Sequence, residues 1–258
     1  MKFALINDQK HIPKPGLRGK CPGCGEVVIA KCGEQKVWHW AHFKKRTCDI
    51  WWENETEWHR NWKNLFPEKW QEIVHFDGTG EKHIADVKTN HKWVIEFQHS
   101  FLNREEKVKR STFYNKIVWI IDGTRRSTDI KQFQKALEDG SSITVSVPIR
   151  KVFIDECRLI KEWISLNKPI FLDFKEPNRV WMVIPEKGMV NAYVIPFSKD
   201  ELVRLHNDIS NEDEFGKFIK DFPELVYNFE NRKRVTQIPF IPTRQRRNFR
   251  RARRIRKL

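Results

Sequence analysis

HIADVKTNHKWVIEFQ, residues 83–98, is the stretch that decides the fold. Two short apolar runs, 83–87 and 92–98, flank an Asn90-His91 turn region, which predicts adjacent antiparallel strands. Each run carries one acid where the pattern asks for an apolar side chain. Asp86 lies between Ala85 and Val87, and Glu96 between Ile95 and Phe97. A buried carboxylate without a partner costs several kcal/mol, so each needs a metal, a cation or a strand end open to water. Strands joined by a short turn can project both acids from one face, where paired carboxylates hold Mg²⁺ or Mn²⁺ through oxygen. A solvated position is the plainer reading for either acid alone; the pair together points to a metal.

Working upstream, residues 51–66 (WWENETEWHRNWKNLF) read as a helix ended by Pro67, with Trp51, Trp58, Trp62 and Leu65 on one face. Glu55, His59 and Lys63 recur every four residues and form a polar stripe. A strand at 71–76 and a turn at 77–80 follow. Downstream, Asn103 or Ser100 caps a helix running to about Tyr114, a buried strand occupies 116–121, and another helix covers about 128–138. The order is helix, three strands, helix, strand.

Four of the five cysteines, Cys21, Cys24, Cys32 and Cys48, fall within residues 21–48, and Cys157 stands apart. An odd count clustered this way favours a metal over disulfides. Cys21-Pro-Gly-Cys24 is a tight knuckle turn, and His39 and His42 follow it. Cys21, Cys24, His39 and His42 can complete a closed, structural tetrahedral Zn²⁺ site, with Cys48 able to replace either histidine and Cys32 a weaker candidate. The alternative, a redox CxxC, should open a helix, whereas the strand-like 27–30 follows here.

The chain has 258 residues, 49 Lys plus Arg and 34 Asp plus Glu, for a net charge of +15. Twelve of the basic residues and no acid lie in 232–258, so the remainder is nearly balanced at +3. With 39% hydrophobic residues the composition is that of a folded protein. The longest apolar run, 117–121, is too short to span a membrane and no secretory signal is legible, so a soluble, cytoplasmic protein is expected.

CPxC, HWAH, ETEWHRNWK, HIADV, IEFQHS, an Arg–Tyr helix and VWII, taken in order over about residues 15–125, resemble the competence protein CoiA family. That resemblance implies a PD-(D/E)XK, restriction-endonuclease-like core (αβββαβ) carrying a small N-terminal zinc knuckle. It also implies a Mg²⁺- or Mn²⁺-dependent nuclease that hydrolyses DNA phosphodiester bonds with metal-activated water. Asp86 matches the family's metal-binding Asp, and Glu96 the acid of the E-x-K element, with Gln98 where Lys is most usual. Glu55, Thr56, His59 and Lys63 match the helix pattern E-[ST]-x-x-H-x-x-x-K, and Arg110 and Tyr114 match the later helix. His83 stands where Arg is more usual. By this resemblance Asp86, Glu96 and the Phe97 carbonyl hold the metal, Glu55 completes its shell, Gln98 positions the water, and Lys63 and Arg110 neutralise phosphate charge. His59 is expected to pack or hydrogen-bond rather than serve as the base.

The expected organisation is a zinc-binding element at 1–49, a nuclease-like domain at 50–140, an α+β accessory region at 141–240 and a basic tail at 241–258. In the accessory region, 142–147, 151–155, 169–174, 179–184 and 191–197 read as strands, Ser198 opens a helix, and a last helix precedes Pro223. Trp163 and Trp181 read as core. The tail's Arg244, Arg246, Arg247, Arg250, Arg251, Arg253, Arg254, Arg256 and Lys257 are expected to bind nucleic acid without sequence choice. DNA is the expected partner, RNA or a non-cleaving DNA-binding role the alternatives, with protein partners in DNA processing (uptake, recombination, repair or phage defence) also conceivable.

Overall fold

The structure, a computed structural model, describes residues 1–44, 48, 49, 51, 55–144, 148–206 and 212–236, with side chains to 232. The basic tail lies outside the described residues.

Residues at the N-terminus build an antiparallel sheet of five short strands, β1 (Ala4–Ile6), β2 (Gln9–His11), β3 (Arg18–Lys20), β4 (Val27–Lys31) and β5 (His39–His42), in the order β2-β1-β3-β4-β5. Its core is small: Met1, Ala4, Cys21, Val28 and Trp40. So few apolar side chains give little stability by themselves, and such an element needs a staple.

The expected order then appears as α1 (Glu57–Asn64), β6 (Gln71–Phe76), β7 (Lys82–Lys88), β8 (Val94–Gln98), α2 (Arg104–Phe113) and β9 (Ile117–Asp122). α3 (Ser127–Asp139), β10 (Ser141–Ser142), β11 (Arg150–Phe153), α4 (Arg158–Ile164), β12 (Ile170–Asp173), β13 (Val180–Pro185), β14 (Asn191–Phe197), α5 (Lys199–His206) and α6 (Glu214–Thr236) follow. The strands form one mixed sheet, β10-β11-β14-β13-β12-β9-β8-β7-β6, in which β8, β9 and β12 run parallel. Residues 141–197 therefore extend the central sheet.

β9 shows why the sheet is covered on both faces. Ile117, Trp119 and Ile121 pack into one apolar layer with Tyr114, Phe133 and Trp163, from α2 to α4. Val118 and Ile120 enter the other with Trp58, Trp62, Leu202 and Phe215, from α1, α5 and α6. A continuous apolar strand alternating between two layers is the signature of a doubly covered α/β sheet.

Several boundaries differ from expectation. The first helix begins only at Glu57, because Thr56 caps it by accepting the His59 N–H at 3.3 Å. Trp51 lies outside it and stacks on His83 at 3.3 Å; 52–54 are not among the described residues. The strand expected at 142–147 is reduced to β10, with 145–147 outside the described residues. α4 was not legible, being only seven residues long. α6 continues through Pro223 because Val226 and Tyr227, past the proline, pack against the same apolar layer as Phe215 and Phe218. Trp163 is core, as expected, and Trp181 packs against that core half-buried.

The added strands also hold α1. Both Trp58 and Trp62 donate their indole N–H to Asp173 Oδ2, at 2.9 and 2.8 Å, tying α1 to the end of β12.

Candidate functional site

Asp86 and Glu96 face each other. The β7–β8 register pairs Val87 with Ile95 and Lys88 with Val94, so its continuation puts Asp86 opposite Glu96. At this point the two strands are joined through side chains. The Phe97 N–H donates to Asp86 Oδ2 at 3.1 Å, and the Asp86 N–H lies 3.4 Å from Glu96 Oε1. Burial first, and the facing Asp86 carboxylate second, raise Glu96 well above the usual carboxylate range, with Arg110 partly offsetting them. Two oxygen-donor side chains held together against their own repulsion are suited to a hard cation such as Mg²⁺.

A third acid continues the row. On β6, Gln71 pairs with Val87 and Ile73 with Ala85, which sets Glu72 across from Asp86. Glu72 takes a left-handed backbone, φ +50°, and accepts the backbone N–H groups of Lys2 and Phe3 at 2.7 and 3.0 Å. The N-terminal element is thereby fastened to the sheet beside the acids.

Lys63 reaches the row from α1. Its ammonium lies 2.7 Å from Glu55 Oε1, 3.1 Å from Glu72 Oε1 and 3.6 Å from Asp86 Oδ1. Burial opposes its charge, but Glu72, Glu55 and Asp86 outweigh burial and hold Lys63 above its ordinary range. Burial likewise raises Glu55, and the charges of Lys63 and Arg60 override it to hold that carboxyl far below the ordinary range. Glu55 is thus committed to Lys63 and to Arg60, 2.5 Å away, rather than pointing at Glu96.

The other expected side chains line the same cavity, about 70 Å³ in volume, which has room for an ion and a few waters. Glu55, His59, Lys63, Asp86, Glu96, Phe97, Gln98, Arg110 and Tyr114 all border it. His59 sits with Nδ1 3.1 Å from the Thr56 hydroxyl. Gln98 donates to the Ser100 carbonyl at 3.0 Å. Arg110 donates to the Trp51 carbonyl at 3.0 Å and places its other terminal nitrogen 4.0 Å from Glu96. Tyr114 is buried, and burial together with the nearby carboxylates keeps its phenol protonated. His83 is used structurally, 2.9 Å from Asp49 and 3.0 Å from Glu81.

Two contributors were missed. Asp49 accepts the N–H groups of Trp51 and Ile84 at 2.9 and 3.0 Å and lines the cavity. Glu72 is the other; as an acid among strand residues it carried the same signal that singled out Asp86.

The second group lies in the N-terminal element. Cys21, Cys24, His42 and Cys48 bring their ligand atoms within 4.8 Å of one another and can hold a metal ion such as zinc. Cys24 and Cys48 sulfurs lie 3.3 and 3.4 Å from His42 Nε2, and Cys21 and Cys48 sulfurs are 3.8 Å apart. A tetrahedron with Zn–S near 2.3 Å and Zn–N near 2.0 Å has edges of about 3.5–3.8 Å. Burial, and then the neighbouring sulfurs Cys21 and Cys24, push the Cys48 thiol up to about 12. A divalent cation relieves that crowding by binding the thiolates.

His39 is not part of this group, which corrects the expected ligand set. His39 and His42 are three residues apart on one strand, so alternation turns them to opposite faces. His39 Nδ1 lies 2.8 Å from the Val37 carbonyl, and Cys48 fills the fourth corner. His39→Ala is therefore expected to keep one bound zinc per chain, whereas Cys48→Ala loses it, read by metal analysis of purified protein.

Residues 17–51 match the family model of the competence protein CoiA N-terminal domain. Over these residues the chain is similar to that domain. The match contains Cys21, Cys24, His42 and Cys48 and, of the residues lining the acidic cavity, Asp49 and Trp51. No curated protein and no solved structure matches the chain. Among the described residues, no helix is long and apolar enough to cross a membrane.

Proposed function

We propose that this CoiA-like chain is a metal-dependent nuclease that hydrolyses DNA phosphodiester bonds, built on a PD-(D/E)XK, restriction-endonuclease-like core. One observation carries it. Asp86 and Glu96 stand opposite each other on adjacent strands, in a single cavity that also receives Lys63, Arg110 and Gln98.

Asp86, Glu96 and the Phe97 carbonyl would hold Mg²⁺ or Mn²⁺, with the Cys/His group holding a structural Zn²⁺. The catalytic ion supplies Lewis-acid polarisation of the phosphoryl group and an activated water. The protein's own groups do the rest. Lys63 balances the charge of the acidic row and, with Arg110, presents fixed positive charge where phosphate enters. Gln98 can orient a water by hydrogen bonding but cannot take its proton. Glu55 and Glu72 hold Lys63 in place, making them positioning residues. The basic tail adds affinity through phosphate contacts.

The test is cleavage of labelled single-stranded and duplex DNA, and of RNA of the same sequence, with Mg²⁺, Mn²⁺ or no divalent ion. Cleavage of DNA that requires the ion is expected, with RNA cut more slowly. A specific observation favours a second reading, a DNA-binding factor that does not cut: Lys63 sits among Glu55, Glu72 and Asp86, and Gln98 replaces the usual lysine. Binding without cleavage under every ion would establish that reading instead.

A further inference from the structure

The N-terminal sheet has one covered face and one open face. Alternation along β4 and β5 sends Val28, Ala30, Trp40 and His42 towards the small core and the Cys/His group. The opposite face carries Arg18, Lys20, Val27, Ile29, Lys31 and Phe43. The register sets Arg18 beside Ile29 and Lys20 beside Val27, and the Phe43 N–H donates to the Val27 carbonyl at 3.1 Å. The six side chains thus form one continuous patch across three strands.

Its chemistry is unusual for a solvated surface. Phe43 is 60% exposed and Val27 47%. The Arg18 guanidinium lies 5.6 Å from the Phe43 ring centroid. Arg18, Lys20 and Lys31 are exposed, and among the described residues none of the three is ion-paired. Residues 1–46 hold ten Lys or Arg and three acids, so this small element is strongly basic while the chain outside the tail is nearly neutral.

We infer that this face is a platform for single-stranded DNA. An exposed ring flanked by unpaired cations offers stacking to an unpaired base and charge to its phosphates. A duplex hides its base faces, and a flat sheet of short strands presents no helix to a major groove. The platform also leads towards the acids. A groove bordered by Lys31, His39 and Ala41 shares the loop 33–36 with a second groove that reaches Trp38, Glu55 and Thr56. Glu55 borders the acidic cavity itself. The metal-stapled sheet would hold a strand and deliver it to the cavity's edge.

This rests on DNA being the substrate, and the experiment separates it from cleavage. The full chain carrying Asp86→Asn and bound zinc is titrated into fluorescein-labelled oligothymidine without Mg²⁺ or Mn²⁺, reading anisotropy across a salt series. Adding Phe43→Ala is expected to weaken binding about tenfold at every salt, without changing the salt slope. Adding Arg18→Ala, Lys20→Ala and Lys31→Ala together is expected to lower the log–log slope by about 2, from about 0.7 per phosphate contact. Phe43→Trp keeps a stacking ring and is expected to hold affinity, which guards against a simple folding defect. Binding to the same sequence as a duplex should change less than threefold on Phe43→Ala. The inference is overturned if Phe43→Ala binds like its parent, if Phe43→Trp fails like Phe43→Ala, or if duplex binding falls equally. Loss of the cleavage proposal with these shifts intact would leave the platform standing.

Discussion

Asp86→Asn is expected to lower ion-dependent DNA cleavage by about 10³-fold while leaving the fold in place. The amide keeps an acceptor for the Phe97 N–H, which Asp86 now binds at 3.1 Å, so the junction between β7 and β8 survives. What it loses is the negative charge. Weakening a metal that stabilises the transition state by several kcal/mol corresponds to about three powers of ten in rate. Glu96→Gln should be as inactive yet somewhat more stable than the parent. Burial and the facing carboxylate raise Glu96, so neutralising it removes a repulsion that the fold now tolerates. Turnover and thermal midpoints on the same preparations check both. Cleavage within threefold of wild type in Asp86→Asn would remove the acid from the chemistry.

Lys63→Met is expected to cost about 3–5 kcal/mol of stability, because it strands buried carboxylates that now share one cation. Glu55, Glu72 and Asp86 all lie within 3.6 Å of the Lys63 ammonium. The pH dependence gives the effect a sign. In the wild type, burial raises Glu55 and Glu72, but Lys63, together with Arg60 at Glu55 and with the N-terminal ammonium and the Lys2 N–H at Glu72, outweighs it and holds both below the ordinary value of 4.5. Their contribution is therefore present above about pH 4.5 and is lost as pH falls through their depressed values. Without Lys63, burial dominates and the same carboxyls titrate above the unfolded value. The variant should thus be most destabilised near neutral pH, and its deficit should shrink as the pH falls and the carboxyls protonate. Urea melts of both proteins at several pH values check this, and Lys63→Met with Glu72→Gln should recover part of the loss. A deficit below 1 kcal/mol at pH 7 would mean the three acids are not held by that cation.

Much of the central architecture was legible because it is written in local pattern. The alternation in 83–87 and 92–98, broken once in each run by an acid, located the strands and the facing pair together. The four-residue repeat of Glu55, His59 and Lys63 placed two of its members on α1 and brought all three to the cavity. What escaped depends on partners distant in sequence. Nothing in 169–174 says that β12 will lie parallel to β9, yet that pairing puts Asp173 under Trp58 and Trp62. Glu72 carried the same local signal as Asp86, but its place in the row depends on its partners, Lys63 and the backbone of residues 2 and 3. The choice among His39, His42 and Cys48 stayed open for a different reason. Counting spacing alone treats His39 and His42 alike, and only their placement on a strand separates them.

The acidic row lies in the nearly neutral body of this basic protein. An acidic cavity recruits a cation and would repel phosphate by itself, so positive charge has to come from Lys63, Arg110 and the surfaces around them. Soaking crystals with Mn²⁺ and recording anomalous diffraction addresses that arrangement most directly. A peak about 2.1 Å from oxygens of Asp86, Glu96 and the Phe97 carbonyl is the expected result. An empty cavity at saturating Mn²⁺, with Lys63 still ion-paired to Asp86, would contradict it.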